Sequence, residues 1–164
     1  LYRAYHLLCK QGKGVNLPTL VFVGMQGWGV SELLKDIELD PLTHDLIVQL
    51  NHVSDADLAH LYKSSLFCVF PSLYEGWGLP VAEALSFGKA VICSDQGSLP
   101  EVGADFVTYV KPWDPQAWAD KIYLLFTMDS ERIKIEERVK NSYRPRGWAD
   151  AATQVKNEID KLIN

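Results

Sequence analysis

Short apolar runs alternate along the chain with segments whose apolar residues recur at helical spacing. Leu66 to Phe70 is apolar throughout, as in a strand buried on both faces, whereas Ala56 to Lys63 has apolar residues three and four positions apart. The same patterns predict strands at Thr19–Val23, Leu46–Leu50, Leu66–Phe70, Ala90–Cys93 and Phe106–Val110, and helices at Leu1–Lys10, Ser31–Ile37, Ala56–Lys63, Val81–Phe87, 115–128, 131–141 and 148–162. Wholly apolar strands separated by helices predict an α/β fold, a doubly wound, Rossmann-like parallel sheet with flanking helices.

Composition narrows the class of protein. A chain of 164 residues with 48% hydrophobic content can bury one sizeable core, so we expect a single domain over residues 1–164. A net charge of -5 without any Lys/Arg-dense stretch argues against a nucleic-acid partner. No apolar run approaches the roughly 18 residues of a membrane-spanning helix, so membrane contact would be peripheral.

The cysteines and histidines do not have the sequence spacing of metal ligands. They stand at Cys9, Cys68, Cys93, His6, His44, His52 and His60. Two of the cysteines lie inside apolar strand-like runs, which is typical of small core residues in a reducing compartment. We therefore expect no structural metal.

The most specific segment lies between the third strand and the following helix. Two carboxylates, Glu75 and Glu83, stand eight residues apart across the turn Gly76-Trp77-Gly78. The glycines let the backbone approach a ligand closely, and the free N–H groups of the helix start favour a diphosphate. Pro80 fits the first helical turn, where its missing N–H costs nothing.

The two glutamates can take different parts of a ligand. We place Glu83 in the first turn of the helix, where the helix dipole favours a carboxylate with or without a ligand. A carboxylate can also accept two hydrogen bonds from a vicinal diol such as a ribose, and Glu75 on the turn can bind the hydroxyls of a sugar. Ligands of such sheets bind at the carboxyl ends of the strands, so the candidate loops are 24–29, 52–55, 71–79 and 94–101.

This segment resembles the E-x7-E signature of retaining glycosyltransferases of family 4, which have the GT-B fold. Further stretches follow the family's order and approximate spacing: 24–29, 53–55, 58–62, 88–92, 98–103, 109–112 and 146–148. The resemblance implies that Glu75 contacts the donor sugar and that Glu83 holds the ribose hydroxyls. It also implies that the diphosphate lies on the amides of Gly76, Trp77, Gly78 and Leu79.

Other loop residues have competing interpretations. The stretch Gly24 to Gly29 follows a strand, but its G-x-x-G-x-G spacing and the Asn51-His52 pair after the next strand disfavour a dinucleotide fold. We include Gly24 in the donor site. Val53 and Ser54 border the nucleotide base or only lead into a helix cap. Asp55-Ala56-Asp57 matches a metal-binding triplet, but we interpret Asp55 as the helix cap and Asp57 as a first-turn charge.

The remaining aromatic and acidic candidates also have two interpretations each. Trp113, Trp118 and Trp148 are expected in the core or against a neighbouring domain. Trp77 either covers the helix start or contacts substrate. Glu101 lies in the loop that faces the site, or caps the short turn there.

The chain starts at Leu1 within a predicted helix, and we interpret it as a fragment that is inactive alone. The resemblance implies that an amino-terminal acceptor domain and a first strand with its Arg/Lys motif are missing. Lys89 and Lys111, which we interpret as solvated, would substitute poorly for that motif. If the missing strand is central, its neighbours must pair with each other or with another strand.

The function implied by the resemblance is retaining hexosyl transfer from a nucleotide sugar to a glycan or glycolipid acceptor, without a metal or bound cofactor. The donor is a GDP- or UDP-sugar, and the Gly24 to Gly29 pattern, similar to mannosyltransferase-like members, favours GDP-mannose. Such enzymes build lipopolysaccharide or other polysaccharides at the cytoplasmic face of a membrane. A non-catalytic nucleotide-sugar-binding module, and a GT-B synthase or phosphorylase of storage or disaccharide sugars, remain alternatives. A glycosidase is disfavoured, since its two carboxyls must face one glycosidic oxygen.

Overall fold

Helices and strands alternate through residues 1–27, 29–145 and 147–163, which the computed structural model describes, with Trp148 described by its backbone alone. The strands are β1 (Leu20–Val23), β2 (Ile47–Leu50), β3 (Cys68–Phe70), β4 (Val91–Ser94) and β5 (Thr108–Val110). The helices are α1 (Tyr2–Lys10), α2 (Ser31–Leu39), α3 (Asp55–Ser64), α4 (Leu79–Ser86), α5 (Leu99–Gly103), α6 (Pro115–Thr127), α7 (Asp129–Ser142) and α8 (Trp148–Ile163). All predicted elements are present, and only the short α5 was not predicted. Among the described helices none is long and apolar enough to cross a membrane.

The strands form two parallel sheets. β1 pairs with β2, from Leu20 opposite Ile47 to Val23 opposite Leu50, and β4 lies between β3 and β5. Parallel pairing and flanking helices confirm the predicted α/β fold. The expectation that the neighbours of a missing central strand pair with each other or with another strand is wrong for the described residues, because β1 and β3 pair neither with each other nor with a substitute strand.

One hydrophobic core supports both sheets, which is why the break between them is tolerated. Helices α1 and α6 contribute buried side chains such as Leu8 and Ile122, and these share a cluster with Leu20 of β1 and Ile92 of β4. Because the same helices cover both sheets, apolar burial fixes the sheets relative to each other without a ladder of hydrogen bonds between them.

The tryptophans differ in their positions. Trp118 is 2% exposed and its Nε1 donates to the carbonyl of Lys111 at 3.1 Å, which confirms its core position. Trp113 is 78% exposed in the turn before α6, so its predicted core position is wrong, and its contact with a neighbouring domain stays a prediction. The side chain of Trp148 lies outside the described residues.

A second core cluster holds α4 against the larger sheet. Val81, Ala84 and Leu85 of α4 pack with Cys68 of β3 and Cys93 of β4. Both cysteines are free and buried, as predicted, and burial raises the pKa of Cys93 to about 12. The helix that carries Glu83 therefore sits on a rigid support.

A buried carboxylate ties α1 to the turn after α2. Asp40 accepts hydrogen bonds from His6 Nδ1 at 2.6 Å, Thr43 Oγ1 at 2.9 Å and the amide of Leu42 at 3.0 Å. Burial alone would raise the pKa of Asp40, but these hydrogen bonds outweigh it and hold the pKa well below its usual range. The ionised carboxylate is thus the acceptor that this junction needs.

Replacing Asp40 with alanine is expected to lower the free energy of unfolding by about 2 to 3 kcal/mol at neutral pH, because three donors lose their acceptor. A folded-state pKa below the unfolded value makes this stabilisation complete above about pH 4 and weaker as the pH falls. Urea unfolding at pH 7 and pH 3 checks both points. A difference between wild type and variant that is the same at both pH values would contradict the prediction.

Candidate functional site

The turn between β3 and α4 contains the predicted donor-binding residues. Gly78 caps α4 in the left-handed region with φ at 94°, and Leu79 and Pro80 begin the helix. A Cβ at Gly78 would lie 2.8 Å from Cδ2 of Leu99, so the fold itself requires glycine there. Gly76 has ordinary φ, and a Cβ added to it would meet nothing within 4 Å, so no contact within the described chain requires glycine at this position.

Four successive backbone N–H groups of this turn have no partner within the described chain. Those of Gly76, Trp77, Gly78 and Leu79 make no hydrogen bond to any described residue. Pro80 contributes no donor, and the next amides, of Val81 and Ala82, bond to the carbonyl of Gly78. Four successive free amides at a helix start can take an anionic group such as a phosphate.

Glu75 is held on two sides. The hydroxyl of Ser72 donates to Glu75 Oε1 at 2.7 Å, and the hydroxyl of Ser98 donates to the Glu75 carbonyl at 3.0 Å. Gly97 lies so close that a Cβ there would be 3.2 Å from the Glu75 backbone nitrogen and oxygen. The sequence predicted loop 94–101 at the site, but it did not indicate Ser72, Gly97 or Ser98 as supports of Glu75. Ser72 therefore orients the carboxylate, and Gly97 and Ser98 hold the Glu75 backbone just before the four amides.

A cavity of about 570 Å³ opens beside this turn, with Glu75, Trp77 and Glu101 among its lining residues. Its volume lies within the roughly 300 to 1,000 Å³ of small-molecule sites. Trp77 is 44% exposed, so its ring is accessible in the cavity wall. The side chain of Glu101, in the first turn of α5, has no hydrogen-bond or ion-pair partner in the described part of the chain. Accessible carboxylates and an aromatic face are groups that bind the hydroxyls and the apolar faces of sugars.

Glu83 lies in the second turn of α4, not in the first turn as predicted, because the helix begins at Leu79 rather than Val81. The helix dipole acts mainly within the first turn and therefore does not account for a carboxylate here. Glu83 is exposed, and its Oε2 accepts a hydrogen bond from the Tyr62 hydroxyl at 3.0 Å.

Three predicted donor residues, Gly24, Val53 and Ser54, follow β1 and β2. They lie outside the lining of the cavity, as do Gly78, Leu79 and Glu83. Gly24, with φ at 134°, donates its N–H to the carbonyl of Leu50 at 3.0 Å. Ser54 caps α3 by accepting from the Asp57 amide at 3.2 Å. The predicted cap at Asp55 is therefore wrong by one residue, since serine caps as well as aspartate, whereas Asp57 is in the first turn as predicted.

Contact of Val53 and Ser54 with a nucleotide base stays a prediction, as does the donor role of Gly24. Two further positions of the family-like stretches, Trp28 and Arg146, lie outside the described residues.

Lys89 is not the solvated charge that the sequence indicated. Its Nζ donates to the carbonyls of Lys63 and Ser65, at 2.8 Å each. These carbonyls belong to the carboxyl end of α3. The last carbonyls of a helix have no N–H donor within the helix, so a cation is favourable there. Lys89 therefore fastens α3 to the segment between α4 and β4.

Comparison with known proteins places the chain among glycosyltransferases. The family model described as Glycosyl transferases group 1 matches residues 1–142. The O-antigen chain mannosyltransferase B of Escherichia coli is 34% identical over 162 residues, which are 99% of this chain and 42% of that protein. The D-inositol 3-phosphate glycosyltransferase of Corynebacterium glutamicum is 32% identical over 110 residues, 66% of this chain and 26% of that protein. The chain thus spans less than half the length of these curated relatives.

Solved structures show the same fold. The C-terminal domain of a glycosyl transferase group 1 family protein from Francisella tularensis matches with a TM-score of 0.70 at 24% identity, over 85% of this chain and 75% of that chain. Sucrose-phosphate synthase from Thermosynechococcus elongatus matches with a TM-score of 0.70 at 22% identity, over 99% of this chain and 43% of that chain. The α/β architecture is therefore that of GT-B glycosyltransferases.

Proposed function

Because the chain belongs to the family Glycosyl transferases group 1, we propose that it is the donor-binding part of a sugar transferase. The whole protein moves a sugar from a nucleoside-diphosphate sugar to a glycan or glycolipid acceptor, with retention of configuration as in family 4. The observation that carries this proposal is the run of four amides between Glu75 and Glu83 that bond to none of the described residues. The relatives' greater length leaves room for a second domain that holds the acceptor.

Each part of the site takes one part of the donor. The diphosphate lies on the amides of Gly76 to Leu79, which stabilise the negative charge that develops on the leaving group. The transferred sugar occupies the cavity, where Glu75 contacts its hydroxyls and reacting centre. Glu83 accepts hydrogen bonds from the ribose diol. No metal or bound cofactor takes part, because backbone dipoles supply the charge stabilisation.

The relatives' names support a donor and a product class. Two relatives from different bacteria are named as O-antigen mannosyltransferases, which favours GDP-mannose as donor and a bacterial surface polysaccharide as product. An acceptor of that kind places the whole protein at the cytoplasmic face of a membrane, with peripheral contact.

The test is a binding panel of GDP, UDP, ADP and their sugars on this chain, measured by ligand-observed NMR. We expect one nucleotide to bind selectively, and Glu83→Ala to weaken it about 10- to 100-fold, since a hydrogen bond to a charged group contributes about 1.5 to 3 kcal/mol. Glu38→Ala, an exposed change on α2, is the control and should bind as wild type does. A folded chain that binds no member of the panel, or binding that is indifferent to Glu83→Ala, would overturn the proposal.

A further inference from the structure

Tyr62, near the carboxyl end of α3, reaches across to the candidate ribose carboxylate on α4. Its hydroxyl lies 3.0 Å from Glu83 Oε2, although 21 residues separate the two in sequence. Its ring stacks on Phe87, with ring centroids 5.3 Å apart and planes inclined by 18°. The ring is therefore held by packing at the end of α4, the same helix that carries Glu83.

The backbone of this part of α3 is fixed as well. Lys89 Nζ bonds to the carbonyls of Lys63 and Ser65, the residues that follow Tyr62 closely. The Ser65 hydroxyl donates to the carbonyl of Tyr62 at 2.9 Å. A hydrogen bond from a side chain restrained in this way keeps its direction, which is the requirement for preorganising a ligand-binding group.

Within the described chain, only one oxygen of the Glu83 carboxylate accepts a hydrogen bond. Burial, and then the hydrogen bond to Glu83, raise the pKa of Tyr62, so its hydroxyl stays protonated and acts as the donor. Glu83 Oε2 takes this hydrogen bond, while Oε1 has no hydrogen-bond partner among the described residues. A carboxylate oxygen can accept more than one hydrogen bond, so both oxygens remain able to accept from a ligand, in an orientation that Tyr62 fixes.

We propose that Tyr62 is a positioning residue that orients the Glu83 carboxylate to accept from both hydroxyls of a ribose 2′,3′-diol. The preference of the site for ribonucleotides over deoxyribonucleotides then depends on Tyr62 as well as on Glu83. This inference rests on the proposed function, in which Glu83 binds the ribose of a nucleoside diphosphate.

The test compares Tyr62→Phe with wild type for two ligands, a nucleoside diphosphate and its 2′,3′-dideoxy analogue, by isothermal titration or NMR. Phenylalanine keeps the ring on Phe87 and removes only the hydroxyl. We expect affinity for the ribonucleotide to fall about three- to tenfold, as for loss of one hydrogen bond, with affinity for the dideoxy analogue unchanged. In a Glu83→Ala background the same substitution should have no effect on either ligand.

Tyr5→Phe is the matched control, since it also removes a tyrosine hydroxyl, which donates to the carbonyl of Pro18 at 3.0 Å. It should leave the ratio of the two affinities unchanged. If wild type binds neither ligand, the proposed function itself fails. If wild type prefers the ribonucleotide and Tyr62→Phe keeps that ratio, or weakens both ligands equally, the positioning role is overturned while the donor site stands.

Discussion

Replacing Glu75 with glutamine is expected to lower the rate of sugar transfer by the whole protein about 10²- to 10³-fold, the loss typical of removing one preorganised electrostatic group. Glutamine has nearly the same size and can still accept the hydrogen bond from Ser72 Oγ, which lies 2.7 Å from Glu75 Oε1. The substitution removes the negative charge beside the cavity. Glycosyl transfer develops positive charge on the sugar ring. The negative charge of Glu75 therefore stabilises the transition state more than it stabilises the bound donor.

The measurement is kcat and KM of the full protein with saturating acceptor, together with the affinity of this chain for the free nucleoside diphosphate. The loss should fall on kcat, and nucleotide affinity should not change, because Glu75 contacts the sugar rather than the nucleotide. Glu101→Gln provides a matched control, since Glu101 lines the same cavity and undergoes the same chemical change. Equal losses in both variants would show that the cavity needs negative charge in general and not a carboxylate at Glu75.

Local patterns were enough to predict the elements of this fold. The wholly apolar run around Val69 predicted a buried strand. Parallel pairing of β3 with β4 confirms the strand, although Cys68 is buried while Val69 and Phe70 are only half-buried. The order strand, glycine turn and helix start around Gly78 was also correct, because each step is set by residues a few positions apart.

Helix starts were predicted less accurately, and the error changed the interpretation of the site. A helix can begin at any of several adjacent residues whose side chains can cap it. In α3 the cap is Ser54 rather than Asp55. The start of α4 at Leu79 moved Glu83 into the second turn. A shift of two residues therefore removed the dipole explanation for that carboxylate.

Contacts between distant segments could not be predicted from a single sequence. Ser98 and Glu75 are 23 residues apart, and Lys89 lies 26 residues from the carbonyl of Lys63 that it caps. Serine and lysine are common surface residues, so neither their type nor their spacing indicates such a partner. The break between the two sheets was equally hidden, because it depends on how both sheets share the core under α1 and α6.

The two glycines of the turn are expected to differ in what they support. Gly78→Ala should lower the free energy of unfolding by about 2 to 5 kcal/mol. About 1 to 2 kcal/mol of this comes from placing an alanine in the left-handed region, where Gly78 has φ at 94°. The remaining part, about 1 to 3 kcal/mol, comes from overpacking. The new methyl would lie 2.8 Å from Leu99 Cδ2, a buried side chain that cannot move away freely.

Gly76→Ala is the matched variant two residues earlier, and it should leave stability unchanged, because nothing lies within 4 Å of the new methyl and φ is ordinary. If the diphosphate approaches the Gly76 amide, that methyl weakens nucleoside-diphosphate binding about tenfold or more, as for the loss of a hydrogen bond to a charged group. Urea unfolding and nucleotide titration of both variants separate the two roles. Wild-type affinity in Gly76→Ala would mean that the diphosphate lies elsewhere, whereas a stable Gly78→Ala would mean that α4 can shift away from Leu99 at little cost.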